Sequence, residues 1–473
     1  MRIGRGVLYL LGGKVGLFLV MACQVIWVPG VLGPENMGFY SYWLSIFFIL
    51  GKAFDLGGHP ILARYLPEYR ATHPSAIRPL VWRVLGIKLP LFILVLVAGW
   101  IVLSETRSYF LIILLGAALL SMTSIVEAIF YGHQRMGLYG LLPVSRLFFR
   151  LILILLLFHL LGRIGILLAI LGAPLLEAAI FAGASLRSLP QGQGPLPEPL
   201  EEYLIFGIGV YLAGLFLMLS RWMIIILSKH FIPDLSLIGY LGLGLQISLF
   251  INQFVSSISE SVFPSLITFH TLGDPRFKRA LELTWRYTNL MLFPLVAGMF
   301  ILAKPAVRLV IGVEFLPAVG IVYVFLPAVV FLCWRFFHGR ILFAFKKKRQ
   351  IFLRSFLEFL ILMISGWYLI KTQGVLGAPM AACLGALGSY AYSYAVSSRL
   401  EKISGYLKGV VKPLLASLLM SAVLSFIPIT SVFHLLGGIF LGGILYFGII
   451  WILGGAGPRD FARLKGLLDR PAL

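Results

Sequence analysis

The sequence predicts an all-α, polytopic membrane protein of about fourteen transmembrane helices. It further predicts two pseudo-symmetric six-helix lobes around a central cavity, followed by two C-terminal helices. Three observations carry this prediction. Of 473 residues, 60% are apolar and only 12% charged, where a soluble domain carries roughly a quarter charged residues. The apolar residues fall into long blocks, each near the roughly 20 residues that cross about 30 Å of hydrocarbon. Lysine and arginine concentrate in alternate connections between those blocks.

The blocks justify themselves in chain order. The first, near 7–29, runs past the length of a signal-peptide core to Pro29-Gly30 and reads as a true span rather than a cleaved leader. Blocks near 38–62, 80–103, 108–131, 138–160 and 164–186 complete an N-lobe over 1–190. Residues 191–202 follow; the proline-, glycine- and glutamine-rich stretch 191–199 reads as a flexible cytoplasmic linker. The C-lobe, 203–402, holds blocks near 203–228, 235–258, 284–303, 318–339, 350–370 and 375–398. Two more, near 409–427 and 432–453, fill 403–455. Pro294, Pro305, Pro317 and Pro327 interrupt the ninth and tenth blocks, so a count of about twelve is the alternative. In the tail 456–473, Phe461, Leu464, Leu467 and Leu468 share one helical side with Arg459, Arg463 and Arg470 elsewhere. That pattern is an interfacial amphipathic helix or a frayed end.

The net charge of +21 would suggest nucleic acid on a soluble protein. Here the positive-inside rule accounts for it: one face of the predicted topology, with both termini, holds about 24 basic residues and the other about six. The run Lys346-Lys347-Lys348-Arg349 belongs to the richer face. It is read as a topology anchor touching anionic lipid, not as a nucleic-acid patch. Both termini are therefore placed in the cytoplasm. Cys23, Cys333 and Cys383 lie inside apolar blocks and predict neither disulfide nor metal site. The histidines, including His59 and His338, lack ligand spacing. No cofactor is expected.

A repeat relates the first six spans to the next six at an offset of roughly 200 to 215 residues. Gly38-Phe39-Tyr40 matches Gly239-Tyr240, Gln134-Arg135 matches Arg349-Gln350, and Gly162-Arg163-Ile164-Gly165 matches Gly374-Val375-Leu376-Gly377. An even-numbered repeat keeps both copies in one orientation, so the central cavity lies between them.

Charges inside the blocks are the candidate functional residues, because a charge at mid-bilayer costs about 3 kcal/mol and faces a cavity or a partner. The cationic candidates for substrate are Lys14, Lys52, Arg146, Arg150, Arg221 and Arg354. Asp55, Glu127 and Glu260 are candidates for ion coupling or gating. Lys14 answers Arg221 across the repeat, and Arg146 answers Arg354. Local pairing competes with function at Lys52 with Asp55 and at Arg354 with Glu358. Lys88, Arg286 and Arg335 are read as snorkelling to an interface. Arg146 and Arg150 stand one turn apart, repel, and need an anion: Glu127, Glu177 or a substrate. No Walker A sequence, HExxH or GxSxG occurs, and no predicted external connection is long enough to house catalysis on a soluble face, so an enzyme is not expected.

The chain resembles the multidrug/oligosaccharidyl-lipid/polysaccharide exporter (MOP) superfamily, and within it the polysaccharide biosynthesis or O-antigen (Wzx-like) flippases. The carrying stretches are Val31-Leu32-Gly33-Pro34 with Gly38-Phe39-Tyr40, Phe54-Asp55-Leu56-Gly57, and Arg64-Tyr65-Leu66-Pro67-Glu68. In the second half they are Phe263-Pro264-Ser265-Leu266, Leu272-Gly273-Asp274, Phe293-Pro294-Leu295 and Gly312-Val313-Glu314-Phe315. The resemblance implies alternating access in the cytoplasmic (inner) membrane. It implies an anionic substrate, an oligosaccharide on a polyprenyl pyrophosphate, with membrane lipids and other polysaccharide assembly proteins as partners and no nucleic acid. A peptidoglycan lipid-precursor flippase and a cation-coupled multidrug exporter are the alternatives of the same fold. Family members often carry an acid where this chain has Ser220-Arg221-Trp222, so a coupling role for that acid does not carry over.

Overall fold

The computed structural model describes residues 2–102, 107–192, 194–403 and 405–454. Helix accounts for 89% of the described residues, and no strand is present among them. The tail 456–473 lies outside them. In chain order the helices are α1 (Arg2–Ala53), α2 (Gly58–Thr72), α3 (Ile77–Val102), α4 (Arg107–Gly132), α5 (Met136–Arg187), α6 (Leu200–Phe231) and α7 (Leu235–Thr271). They continue as α8 (Arg276–Ala306), α9 (Ala318–Ala344), α10 (Lys348–Gln373), α11 (Gly377–Leu400), α12 (Lys408–Ser425) and α13 (Val432–Ile452). Ten segments among the described residues are long and apolar enough to cross a membrane, which makes this a multi-pass membrane protein.

Three of those segments are too long for one crossing. A helix of 52 residues such as α1 or α5 would extend about 78 Å if straight, against about 30 Å of hydrocarbon. Each breaks at a glycine in a conformation that L side chains avoid. In α1 the break is Gly33 (φ 70°, ψ 169°); in α5 it is Gly162 (φ 57°, ψ −133°). Gly374 (φ 59°, ψ −140°) separates α10 from α11. The fold-back at the last two is tight. A Cβ on Gly165 would stand 2.0 Å from the Leu157 carbonyl oxygen, and one on Gly377 would stand 2.1 Å from that of Leu369.

The chain divides into two compact units, Met1–Gly239 and Tyr240–Leu473. In the first, α1, α4 and α5 pack together and α6 packs on α1 and α2. A core of Leu62, Leu66, Tyr69, Leu80, Ile125 and Tyr203 ties α2, α3, α4 and α6. The stretch expected to be a flexible linker is seated: the Gly194 N–H donates to the Ser75 carbonyl at 3.2 Å, and Leu196 packs on that same core. In the second unit, α9, α10 and α11 form one group. The last two helices, α12 and α13, pack on α8 through Met420, Leu424, Tyr446 and Ile450, and the Tyr446 hydroxyl donates to the Leu290 carbonyl at 2.7 Å.

The repeat is visible in backbone detail. Gln134 (φ 56°) and Lys346 (φ 55°) turn the chain alike, and Gly162 and Gly374 do so again, a constant step of 212 residues (346 − 134 and 374 − 162). The hydrogen bonds match too. Arg135 N donates to Phe130 O at 2.9 Å, and Lys347 N donates to Leu342 O at 2.9 Å. This corrects the pairing of Gln134-Arg135 with Arg349-Gln350: the Gln-Arg likeness is a decoy, and the turn itself aligns Gln134 with Lys346. Near the chain start the step is 201 (239 − 38). A Cβ on Gly38 would lie 1.8 Å from Leu235 O, and one on Gly239 would lie 2.0 Å from Pro34 O.

Candidate functional site

Charged side chains inside the apolar helices gather into polar nodes, each built where a helix break or a small residue makes room. The first lies at the break between α1 and α2. Leu56 (φ 46°) and Gly57 (φ 80°) end α1 in left-handed backbone, which turns Asp55 inward until it is 3% exposed. Lys52 Nζ is 2.8 Å from Asp55 Oδ2, so the pairing expected from spacing is present. Lys88 of α3 adds a second cation at 3.4 Å. Its side chain fits because Gly58 has no Cβ; one there would stand 2.8 Å from Lys88 Cε. Lys88 donates to Ser121 Oγ at 2.8 Å and to Ser121 O at 3.0 Å. It is 2% exposed, which overturns the expectation that it snorkels: Asp55 and Ser121 hold it in the interior.

The second node joins α4 to both halves of α5. Arg146 donates through Nε to Glu177 at 2.6 Å and through a terminal nitrogen to Glu177 at 2.9 Å and Glu127 at 2.5 Å. One guanidinium therefore answers two carboxylates, and Glu177 is fully buried. The two acids considered for the Arg146–Arg150 pair both go to Arg146. Arg150, 6% exposed, meets no carboxylate among the described residues. It donates to Gln24 Oε1 at 3.1 Å, lies 5.6 Å from the Phe48 ring centroid, and leaves its Nε without a partner. Gln24 is held for this by its own donation to Leu147 O at 2.9 Å. Phe48 is backed by Trp222, stacked at 4.8 Å. Lys14 is half-buried on α1 and Arg221 is exposed on α6.

The third node lies in the second unit, among α9, α10 and α11. Glu358 pairs with Arg335 at 2.8 Å and not with Arg354, correcting the expected one-turn pair. Arg335, also expected to snorkel, is turned inward by that carboxylate. Arg354 is 5% exposed and lies under Gly339, where a Cβ would stand 2.0 Å from its NH1. Arg340 faces Glu260 at 3.6 Å and sits over the Phe336 and Phe263 rings at 4.3 and 4.5 Å. With the step of 212, Arg146 corresponds to Glu358 and not to Arg354, a second correction to the expected symmetry of charge.

Sequence reasoning missed Gln24, Lys88, Arg335 and Arg340 as members of these nodes. Lys88 and Arg335 carried the signal of a charge inside an apolar block, and Arg340 that of the aromatic Phe336 one turn before it. His338, considered among the histidines, is a structural member of an aromatic cluster. Its ring bonds Ser397 Oγ at 2.8 Å and the Tyr406 hydroxyl at 3.1 Å. The cysteines are free, and no metal-holding group of histidine, cysteine and carboxylates occurs among the described residues.

The fold is that of the MOP transporters. It is similar to the lipid II flippase MurJ in an inward closed conformation, with a TM-score of 0.75 at 15% identity, covering 94% of this chain and 98% of that one. An inward-facing multidrug resistance MATE family transporter of the MOP superfamily matches at 0.64 and 13% identity, over 83% and 95%. A MOP superfamily transporter from Pyrococcus furiosus matches at 0.54 and 15%, over 86% and 96%. No curated protein sequence matches. The polysaccharide biosynthesis protein family matches residues 3–270, and the chain belongs to that family.

Proposed function

We propose that this protein is a flippase, and not an enzyme, that carries an oligosaccharide linked to a polyprenyl pyrophosphate across the cytoplasmic membrane by alternating access, with both termini cytoplasmic. Family membership supports the pathway, cell-surface polysaccharide assembly. The observation that carries the substrate class is Arg150: a guanidinium buried inside a membrane-spanning helix that meets an amide and an aromatic ring and, among the described residues, no carboxylate. An unpaired buried charge costs several kcal/mol, and an anionic substrate group that docks there offsets that cost during its passage. Guanidinium suits phosphate through its fork of donors. Lys14, Arg221 and Arg354 are proposed to serve the same anion along the path. Lys52 and Arg146, held by Asp55, Glu127 and Glu177, are proposed as gating groups that exchange partners. Asp55, Glu127 and Glu260 are then the candidates for ion coupling. The likeness to a lipid II flippase favours a second reading, a peptidoglycan lipid precursor, which shares the polyprenyl pyrophosphate.

Binding by purified protein, read as thermal stabilisation, tests this reading. Polyprenyl-pyrophosphate oligosaccharide is expected to stabilise the wild type, and Arg150→Gln, Lys14→Ala and Arg221→Ala each to weaken that by about tenfold in affinity, the worth of one charged hydrogen bond. Stabilisation by lipophilic cations alone would move the assignment to a multidrug exporter.

A further inference from the structure

The two copies of the buried polar node carry opposite charge. At a step of 212 residues, Glu127 falls on Gly339, Arg146 on Glu358 and Glu177 on Ser389. The step is fixed on both sides of the helix that carries Arg146 and Glu358, at the Gln134 and Lys346 turns and at the Gly162 and Gly374 turns, and the other two pairs lie just beyond those turns. In the first unit one guanidinium is clasped by two protein carboxylates. In the second, both acid positions have become small residues, and the space is taken by a guanidinium: Arg354 NH1 lies where a Cβ on Gly339 would be. The charged neighbours of Arg354 are Arg335, Glu358 and Arg340. Glu358 lies 2.8 Å from Arg335 and Glu260 3.6 Å from Arg340, though Glu358 Oε2 and Arg335 Nε keep no hydrogen bond. Three guanidiniums thus share two carboxylates. The surplus falls on Arg354, which has no hydrogen-bond or ion-pair partner for its guanidinium among the described residues, its Nε included. Its surroundings are otherwise polar but neutral: Ser389 Oγ donates to Arg354 O at 3.4 Å, and Ser393 Oγ to Ser389 O at 2.7 Å. The same face of α11 continues to Ser397, which lines a cleft of about 600 Å³ with His338, Tyr394, Arg399, Lys402 and Tyr406.

We propose that the Arg335–Arg354 node of the second unit is a binding site for one phosphate group, which supplies the countercharge that Glu127 and Glu177 supply in the first unit. A phosphate accepts from the free edge of Arg354 in the forked geometry that guanidinium favours. Arg335 and Arg340 add field without being drawn from their own carboxylates. Phosphate on the carrier lipid, on an anionic phospholipid or free in solution offers this same chemistry. As the docking point of a carried substrate, the site rests on the flippase reading; as a phosphate site it does not.

The test compares the wild type with Arg354→Gln and with Gly339→Glu, which restores the acid that the first unit carries. The Gly339→Glu side chain displaces only the far end of Arg354, a flexible group. Purified protein is titrated with inorganic pyrophosphate, with phosphatidylglycerol and with polyprenyl-pyrophosphate oligosaccharide, read by thermal stabilisation. The proposal expects stabilisation of the wild type by at least one phosphate probe, with affinity reduced tenfold or more in both variants. It also expects Gly339→Glu to melt above the wild type when no phosphate is present, which guards against Arg354→Gln failing to fold. Wild-type indifference to all three probes overturns the site, as does unchanged affinity in Gly339→Glu. Response to pyrophosphate or phospholipid but not to the carrier-linked sugar keeps the site and counts against the flippase reading. Carrier-linked sugar bound equally well by all three proteins does the reverse.

Discussion

At the scale of single residues, burial decides which of the membrane charges are structural. Asp55 sits between Lys52 and Lys88, but the two cations differ: the Lys52 side chain is 22% exposed and that of Lys88 is 2% exposed. Breaking a buried pair costs about 3 to 5 kcal/mol because a charge is stranded, whereas a partly solvated pair contributes about 1 kcal/mol or less. Asp55→Asn is therefore expected to destabilise the protein most, by about 3 kcal/mol. Lys88→Met comes next, since Lys52 still answers Asp55, and Lys52→Met is the mildest. Chemical unfolding in detergent ranks the three, and a larger loss in Lys52→Met than in Lys88→Met would contradict the assignment. These partnerships were half legible in the sequence. Lys52 and Asp55 declare themselves by spacing along one helix. Lys88, Gln24 and Arg335 do not, because their partners come from other helices that hydropathy cannot bring together.

At the scale of elements, glycine decides where long apolar stretches fold back. The turns at Gly162 and Gly374 have nearly the same dihedrals, and each is followed by a glycine pressed on backbone. Gly165→Ala and Gly377→Ala place a methyl about 2 Å from a carbonyl oxygen that cannot move aside, so each is expected to cost about 1 to 3 kcal/mol. Gly183→Ala and Gly209→Ala, with nothing within 4 Å of the new atom, are expected to stay within about 1 kcal/mol of wild type. Thermal melts of the four variants check the contrast, and equal melting in all four would refute it. The same chemistry explains what the sequence revealed about the repeat. The Gly-x-x-Gly turns were readable because only glycine fits them. The Gln134 turn was misaligned because its counterpart, Lys346, holds the same left-handed backbone with an unrelated side chain.

At the scale of the whole molecule, hydropathy carried the reading furthest. Lipid allows a backbone few ways to satisfy its hydrogen bonds, so apolar blocks became helices almost one for one, with the breaks at Gly33 and Gly162 falling between blocks. Duplication then placed similar backbones in both halves, and divergence of charge within that scaffold made one copy of the node acid-rich and the other arginine-rich. That divergence was hidden in the sequence: Arg146 and Arg354 look like counterparts until the step of 212 is fixed by the turns. The functional claim at this scale is transport of an anionic lipid-linked sugar. Its most direct test reconstitutes the protein in liposomes with a fluorescent polyprenyl-pyrophosphate oligosaccharide and follows exposure of the label to a membrane-impermeant quencher. The account predicts rapid loss of the protected inner-leaflet fraction with wild type and about tenfold slower loss with Arg150→Gln. Protection that persists with folded wild-type protein, or flipping that ignores loss of the Arg150 charge, would contradict it.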